Sequence, residues 1–115
     1  MFFNKSLLAA AVLIGSATAF TGTATLGFGG TTTCGCPASN GPVAVSVPLA
    51  LAAGQRCCFD TVTAFYNSKN VTAIYAGNYD DGVGTENIEL SDFAFGVLED
   101  NSSQTTLSPV TWAFD

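Results

Sequence analysis

Two tight cysteine clusters, Cys34-Gly35-Cys36 and Cys57-Cys58, set the frame for any fold this chain can adopt. A bond between adjacent Cys57 and Cys58 would strain the peptide between them, and Cys34 and Cys36 sit almost as close. The expected arrangement is therefore two disulfides running from one cluster to the other, with the choice between the two possible pairings left open. Each bond closes a loop of roughly 20 residues and contributes about 3 kcal/mol by restricting the unfolded chain.

The N-terminus supplies the oxidising compartment that such bonds need. Lys5 provides a positive start, Leu7 to Ile14 (LLAAAVLI) a short apolar run, and Ala17-Thr18-Ala19 the small-x-small pattern read by signal peptidase. Cleavage is expected after Ala19, so that residues 1–19 are a signal peptide and residues 20–115 form one secreted, extracellular domain. The apolar run falls well short of the roughly 20 residues a membrane-spanning helix requires, and no later segment is longer. Zinc held by the four cysteines is the rival reading. The chain has no histidine, and export disfavours unpaired thiolates, so neither a metal nor another cofactor is expected.

A domain of this length lies near the lower end of what one core can stabilise, which is where added cross-links matter. Its charge is acidic, with a formal net value of −6. Loss of Lys5 with the leader leaves only Arg56 and Lys69 against nine carboxylates. Such a surface repels phosphate backbones and anionic lipid, which argues against nucleic acid and, after cleavage, against membranes. Asn70-Val71-Thr72 and Asn101-Ser102-Ser103 match the acceptor pattern for N-glycosylation.

Threonine, serine and asparagine dominate the polar residues, and short alternating runs are separated by Gly, Asn and Pro, an all-β signature. Ala24, Leu26 and Phe28 alternate with Thr23 and Thr25; Val43, Val45 and Val47 alternate up to Pro48. Thr61 to Tyr66 and Val71 to Ala76 predict a hairpin around a four-residue turn, Asn67 to Asn70. Val110, Trp112 and Phe114 share a face, which places Trp112 in the core. One stretch reads differently. Ser91 can cap a short helix through Asp92 to Glu99, with Phe93 and Val97, and Ala94 and Leu98, one turn apart. Leu49 to Gly54 is either a helical turn or a loop.

Chemistry-bearing side chains concentrate at Asp80, Asp81, Glu86, Glu89 and Asp92. Paired carboxylates are what glycoside hydrolysis uses, and oxygen ligands are what calcium takes. Asp80 to Glu86 lacks the alternating spacing of a calcium loop, and a solvated acidic loop is the plainer account. With no histidine to act as base, serine or cysteine nucleophiles have no support. Tyr79, in the stretch Gly77-Asn78-Tyr79, is the best candidate for an exposed contact residue, because a planar ring stacks on sugar faces.

Taken in order, these elements resemble the double-psi β-barrels of the expansin, barwin and rare-lipoprotein-A group, in a fungal-type, single-domain form. Gly22-Thr23-Ala24-Thr25, Cys34-Gly35, Val43 to Pro48, Val71-Thr72-Ala73, Ile88-Glu89-Leu90-Ser91 and Val110-Thr111-Trp112 carry the likeness. It implies a six-stranded double-psi β-barrel with one short helix near the C-terminus. It also implies a polysaccharide site, from which this chain departs. The family's Asp-Arg-Cys run corresponds to Gly77-Asn78-Tyr79, and the aspartate of Asp-Leu-Ser corresponds to Glu89. Aromatic residues usual after the opening strand and after Cys-Gly correspond to Leu26, Gly27 and Cys36.

The expectation is thus a secreted, monomeric, non-catalytic binding protein acting on the cell wall or at a host–microbe interface. Its ligand would be a polysaccharide or a secreted protein, contacted by Tyr79, Asp80, Asp81 and Glu89. A cysteine-protease inhibitor using Gly77 to Asn87 is the alternative. A weak polysaccharide-cleaving or lytic transglycosylase-like enzyme, with Glu89 as its acid, is the second.

Overall fold

The computed structural model of the protein describes residues 18–37, 42–79 and 84–115. Asp80, Asp81 and nearly all of the expected signal peptide lie outside the described residues. Among the described residues the alternating runs form seven strands: β1 (Phe20–Leu26), β2 (Thr31–Thr33), β3 (Ala44–Val47), β4 (Thr61–Tyr66), β5 (Lys69–Tyr79), β6 (Ile88–Leu90) and β7 (Thr106–Phe114). A helix, α1 (Asp92–Leu98), follows β6, and a 3-10 turn occupies Leu49–Leu51.

Strands β5, β3, β6, β1, β7 and β4 pair in that order, and β4 returns to β5, so six strands close on themselves. Strand β2 extends the sheet by pairing antiparallel with the end of β5. Two pairs, β1 with β6 and β3 with β5, are parallel; the remaining barrel pairs are antiparallel. The all-β barrel and single short helix expected from the sequence are both present.

Period-2 alternation sends every second side chain inward. Val45, Val62, Ala64, Val71, Ala73, Ile88, Leu90, Val110 and Trp112 fill the interior. Trp112 is fully buried, as its strand face predicts, and its indole N–H donates to the Glu86 carbonyl at 2.8 Å. The ring therefore contributes apolar burial without leaving a polar atom unsatisfied.

Three local expectations change. The hairpin turn is two residues long, Asn67 and Ser68, because Tyr66 pairs with Lys69 and Phe65 with Asn70. Asn67 takes the left-handed φ of 56° that so tight a connection needs. Ser91 does stand at the start of α1, but its side chain makes no capping bond. Its hydroxyl accepts the Ala44 N–H at 2.9 Å and donates to the Pro42 carbonyl at 2.8 Å, tying the entry of β3 to the exit of β6.

The helix packs on half of the expected stripe, Ala94 and Leu98, with Phe95 in place of Phe93 and Val97. Ala94, Phe95 and Leu98 are buried, whereas Phe93 is 66% and Val97 48% exposed. Only Asp92 and Gly96 are not large apolar or alanine within α1, so spacing could not select the buried face. At the other end of α1, the Lys69 ammonium donates to the carbonyls of Leu98 at 3.3 Å and Glu99 at 2.8 Å. It also reaches the Asp100 carboxylate at 2.9 Å. A cation there satisfies helix-terminal carbonyls and suits the helix dipole.

Both disulfides cross between the clusters: Cys34 with Cys57 and Cys36 with Cys58, at Cα separations of 6.3 and 5.3 Å. The Cys34 N–H donates to Ala76 O and the Cys58 N–H to Tyr75 O. The cross-links thus bind the chain leaving β2, and the loop entering β4, to one place on β5.

Candidate functional site

The site is built where β6 meets the segment that opens β2. Ile88 and Leu90 pair with the core residues Ala24 and Val45, so the pleat turns Glu89 between them to the outer face of the barrel. That face is covered. Glu89 is only 4% exposed; one carboxylate oxygen accepts the Gly30 N–H at 3.0 Å, and the other accepts the Thr31 hydroxyl. Gly30 is glycine for a steric reason: a Cβ there would lie 2.8 Å from Tyr79 Cε1 and 3.3 Å from Glu89 Oε2.

Tyr79 and Glu89 therefore meet across Gly30. Tyr79 is half-buried and pairs with Thr31 at the end of β5. Asp80, the next residue, and Asp81 lie outside the described residues. The remaining acids serve different elements. Glu86 Oε1 accepts the Thr21 N–H at 2.8 Å, and Asp92 stands exposed in the first turn of α1.

Sequence reasoning missed four contributors. Thr31 and Gly30 gave no signal as partners of Glu89, since only the fold brings positions 58 and 59 apart in the chain together. Ser46 pairs directly with Glu89 and is fully buried, with no hydrogen-bond partner for its hydroxyl among the described residues. Asn78, where the expansin-like pattern has a different residue type, uses its side-chain amide on the Tyr75 hydroxyl at 2.7 Å.

Chemically, the arrangement holds a loop well and presents an acid poorly. Both oxygens of Glu89 already accept donors, and general acid catalysis needs the proton within reach of a leaving group. The Tyr79 ring edge lies at the border of this covered carboxylate. The sulfur atoms of Cys36, Cys57 and Cys58 come within 4.8 Å of one another, but all three are in disulfides and offer no thiolate to a metal. No helix of the described residues is long and apolar enough to cross a membrane.

No protein-family model matches the sequence, and no curated protein matches it. Solved structures do. The apo expansin of Clavibacter michiganensis superposes with a TM-score of 0.65 at 21% identity, over 85% of this chain and 50% of that one. A mutant of that expansin in complex with cellohexaose gives 0.61 at 20% identity, over 85% of this chain and 50% of that one. A Streptomyces papain inhibitor gives 0.61 at 20% identity, over 84% of this chain and 94% of that one. The chain thus spans half the length of the expansin chains and nearly the whole of the inhibitor. What the likeness carries is the fold: the closed barrel with its one short helix is a double-psi β-barrel of the expansin-like kind.

Proposed function

We propose that this protein is an extracellular, non-catalytic binding protein whose ligand is a cell-wall polysaccharide. The observation that carries the reading is the meeting of Tyr79 and Glu89 across Gly30, with both Glu89 oxygens already engaged. A ring beside polar backbone and hydroxyl groups suits a sugar, whose faces are apolar and whose rim is hydroxyl. An enclosed carboxylate supports retention of such a ligand rather than its cleavage. The barrel's likeness to an expansin crystallised with cellohexaose agrees with that ligand class.

The test is a depletion assay on insoluble cellulose, chitin and peptidoglycan. The wild-type protein is expected to leave the supernatant with at least one of them, and Tyr79→Ala to weaken retention roughly tenfold, the loss of one contact worth about 1.4 kcal/mol. Wild-type protein remaining wholly in solution with all three overturns the reading. Release of soluble sugar that vanishes in Glu89→Gln would instead establish an enzyme.

A second reading has its own support. The papain inhibitor is matched along 94% of its length and over 84% of this chain, so the likeness takes in nearly all of the inhibitor. A cysteine-protease inhibitor would lower papain activity stoichiometrically on titration, and undiminished activity at a molar excess of this protein excludes it.

A further inference from the structure

Phe65 is a large apolar residue that the barrel leaves 49% exposed, although Val62 and Ala64 on the same strand are almost completely buried. Its position is specific. It lies on the outer face of β4, directly opposite Asn70 on β5 and Thr111 on β7. Directly opposed residues on neighbouring antiparallel strands have Cβ atoms roughly 4.5–5.5 Å apart. Asn70 opens the acceptor triplet Asn70-Val71-Thr72. Within it Val71 turns into the core, while Asn70 and Thr72 stand exposed on the outer face, beside Phe65 and Thr63. The Thr72 and Thr63 hydroxyls share a hydrogen bond of 2.8 Å.

We infer that Asn70 carries an N-linked glycan and that Phe65 is the platform on which its first sugar rests. The inference depends on the export reading, because only an exported chain meets the transferring enzyme. In that transfer the Asn70 side-chain nitrogen bonds to the anomeric carbon of a lipid-diphosphate-linked oligosaccharide. The bond from that carbon to the diphosphate oxygen breaks, the lipid diphosphate leaves with the electron pair, and the amide gives up one proton to a base. An N-acetylglucosamine on Asn70 then extends over the outer face. There its apolar side covers the Phe65 ring, which needs no hydrogen bond of its own.

Asn101 differs in both respects. Its side-chain oxygen already accepts the Ser103 N–H at 3.1 Å and the Ser103 hydroxyl at 2.5 Å, and its neighbours Asp100, Ser102 and Ser103 are polar. A sugar at Asn101 would gain no such platform from that turn.

The experiment expresses the full chain in a eukaryotic secretory host and maps the peptides of protein recovered from the medium. The Asn70 peptide is expected to carry glycan. One portion is trimmed with an endoglycosidase that leaves the first sugar, and another is stripped completely, converting Asn70 to aspartate. The trimmed form should melt about 3–8 °C above the stripped form. In Phe65→Thr, which undergoes the same conversion to aspartate, that gap should close. An unmodified Asn70 in secreted protein, equal melting of the two forms, or a gap that persists in Phe65→Thr would overturn the inference. Absence of the chain from the medium would overturn it together with the export reading, whereas failure of the polysaccharide assay would leave it untouched.

Discussion

The Thr31 hydroxyl donates to the carboxylate of Glu89, 58 positions further along the chain, and so fastens the first residue of β2 to the outer face of β6. The second carboxylate oxygen takes the Gly30 N–H, so one side chain secures two consecutive residues. Glu89 belongs as much to the architecture of the barrel as to any ligand surface.

Glu89→Ala should therefore lower stability by about 1–3 kcal/mol, because it removes the charged acceptor of two part-buried hydrogen bonds, from the Gly30 N–H and the Thr31 hydroxyl. Glu89→Gln, which keeps an acceptor for one of them, should lose less. Urea denaturation of the two variants beside the wild type checks the order.

Gly77 permits β2 to cross close over β5: a Cβ there would lie 2.5 Å from Thr31 Cγ2 and 2.9 Å from the Thr32 carbonyl. Gly77→Ala should destabilise by about 1–3 kcal/mol through overpacking. Gly96, exposed on α1, meets nothing within 4 Å at the same position. Gly96→Ala should stabilise by about 0.5–1 kcal/mol from helix propensity alone. Opposite shifts in thermal midpoint for one identical chemical change are the expected result.

Removing the Cys36–Cys58 bond with Cys36→Ser and Cys58→Ser together should cost less than the roughly 3 kcal/mol of an isolated loop over 22 residues, because Cys34–Cys57 already closes almost the same loop. Denaturant midpoints of the double variant, with Cys34–Cys57 kept intact, measure it.

Lys69→Met keeps the aliphatic stem but deletes the charge that binds the last carbonyls of α1. Stability should fall by about 0.5–1 kcal/mol, a modest value because the lysine side chain is 38% exposed. Faster amide exchange within Asp92–Leu98 than in the barrel strands would confirm that the loss is local.

The strands, the buried Trp112 and the cross-linking of the two cysteine clusters were legible because each follows from a local rule. Alternation marks strands, an apolar strand face marks core, and adjacent cysteines must bond elsewhere. The turn length was not, because Lys69 and Asn70 are polar residues typical of loops and only their pairing with Tyr66 and Phe65 shows them to be strand. Ser91 kept the residue type of a cap while its hydroxyl bridged Pro42 and Ala44, an engagement set by tertiary position.

The site was legible in part for the same reason. Tyr79 and Glu89 stood out by side-chain chemistry, and the fold brings them together. Gly30 and Thr31 carry no signal of that kind. Their role arises from the antiparallel pairing of β2 with β5 and from the parallel pairing of β1 with β6, which no local pattern encodes.

The arrangement of the two disulfides has a consequence for the chain's response to proteases. Cys34 and Cys36 lie on one side of residues 37–56, and Cys57 and Cys58 on the other. A cut anywhere in that stretch leaves the two fragments joined twice over. Such a nick would stay silent in a gel run without reductant and would leave the closed ring of strands tethered through its β5 anchor.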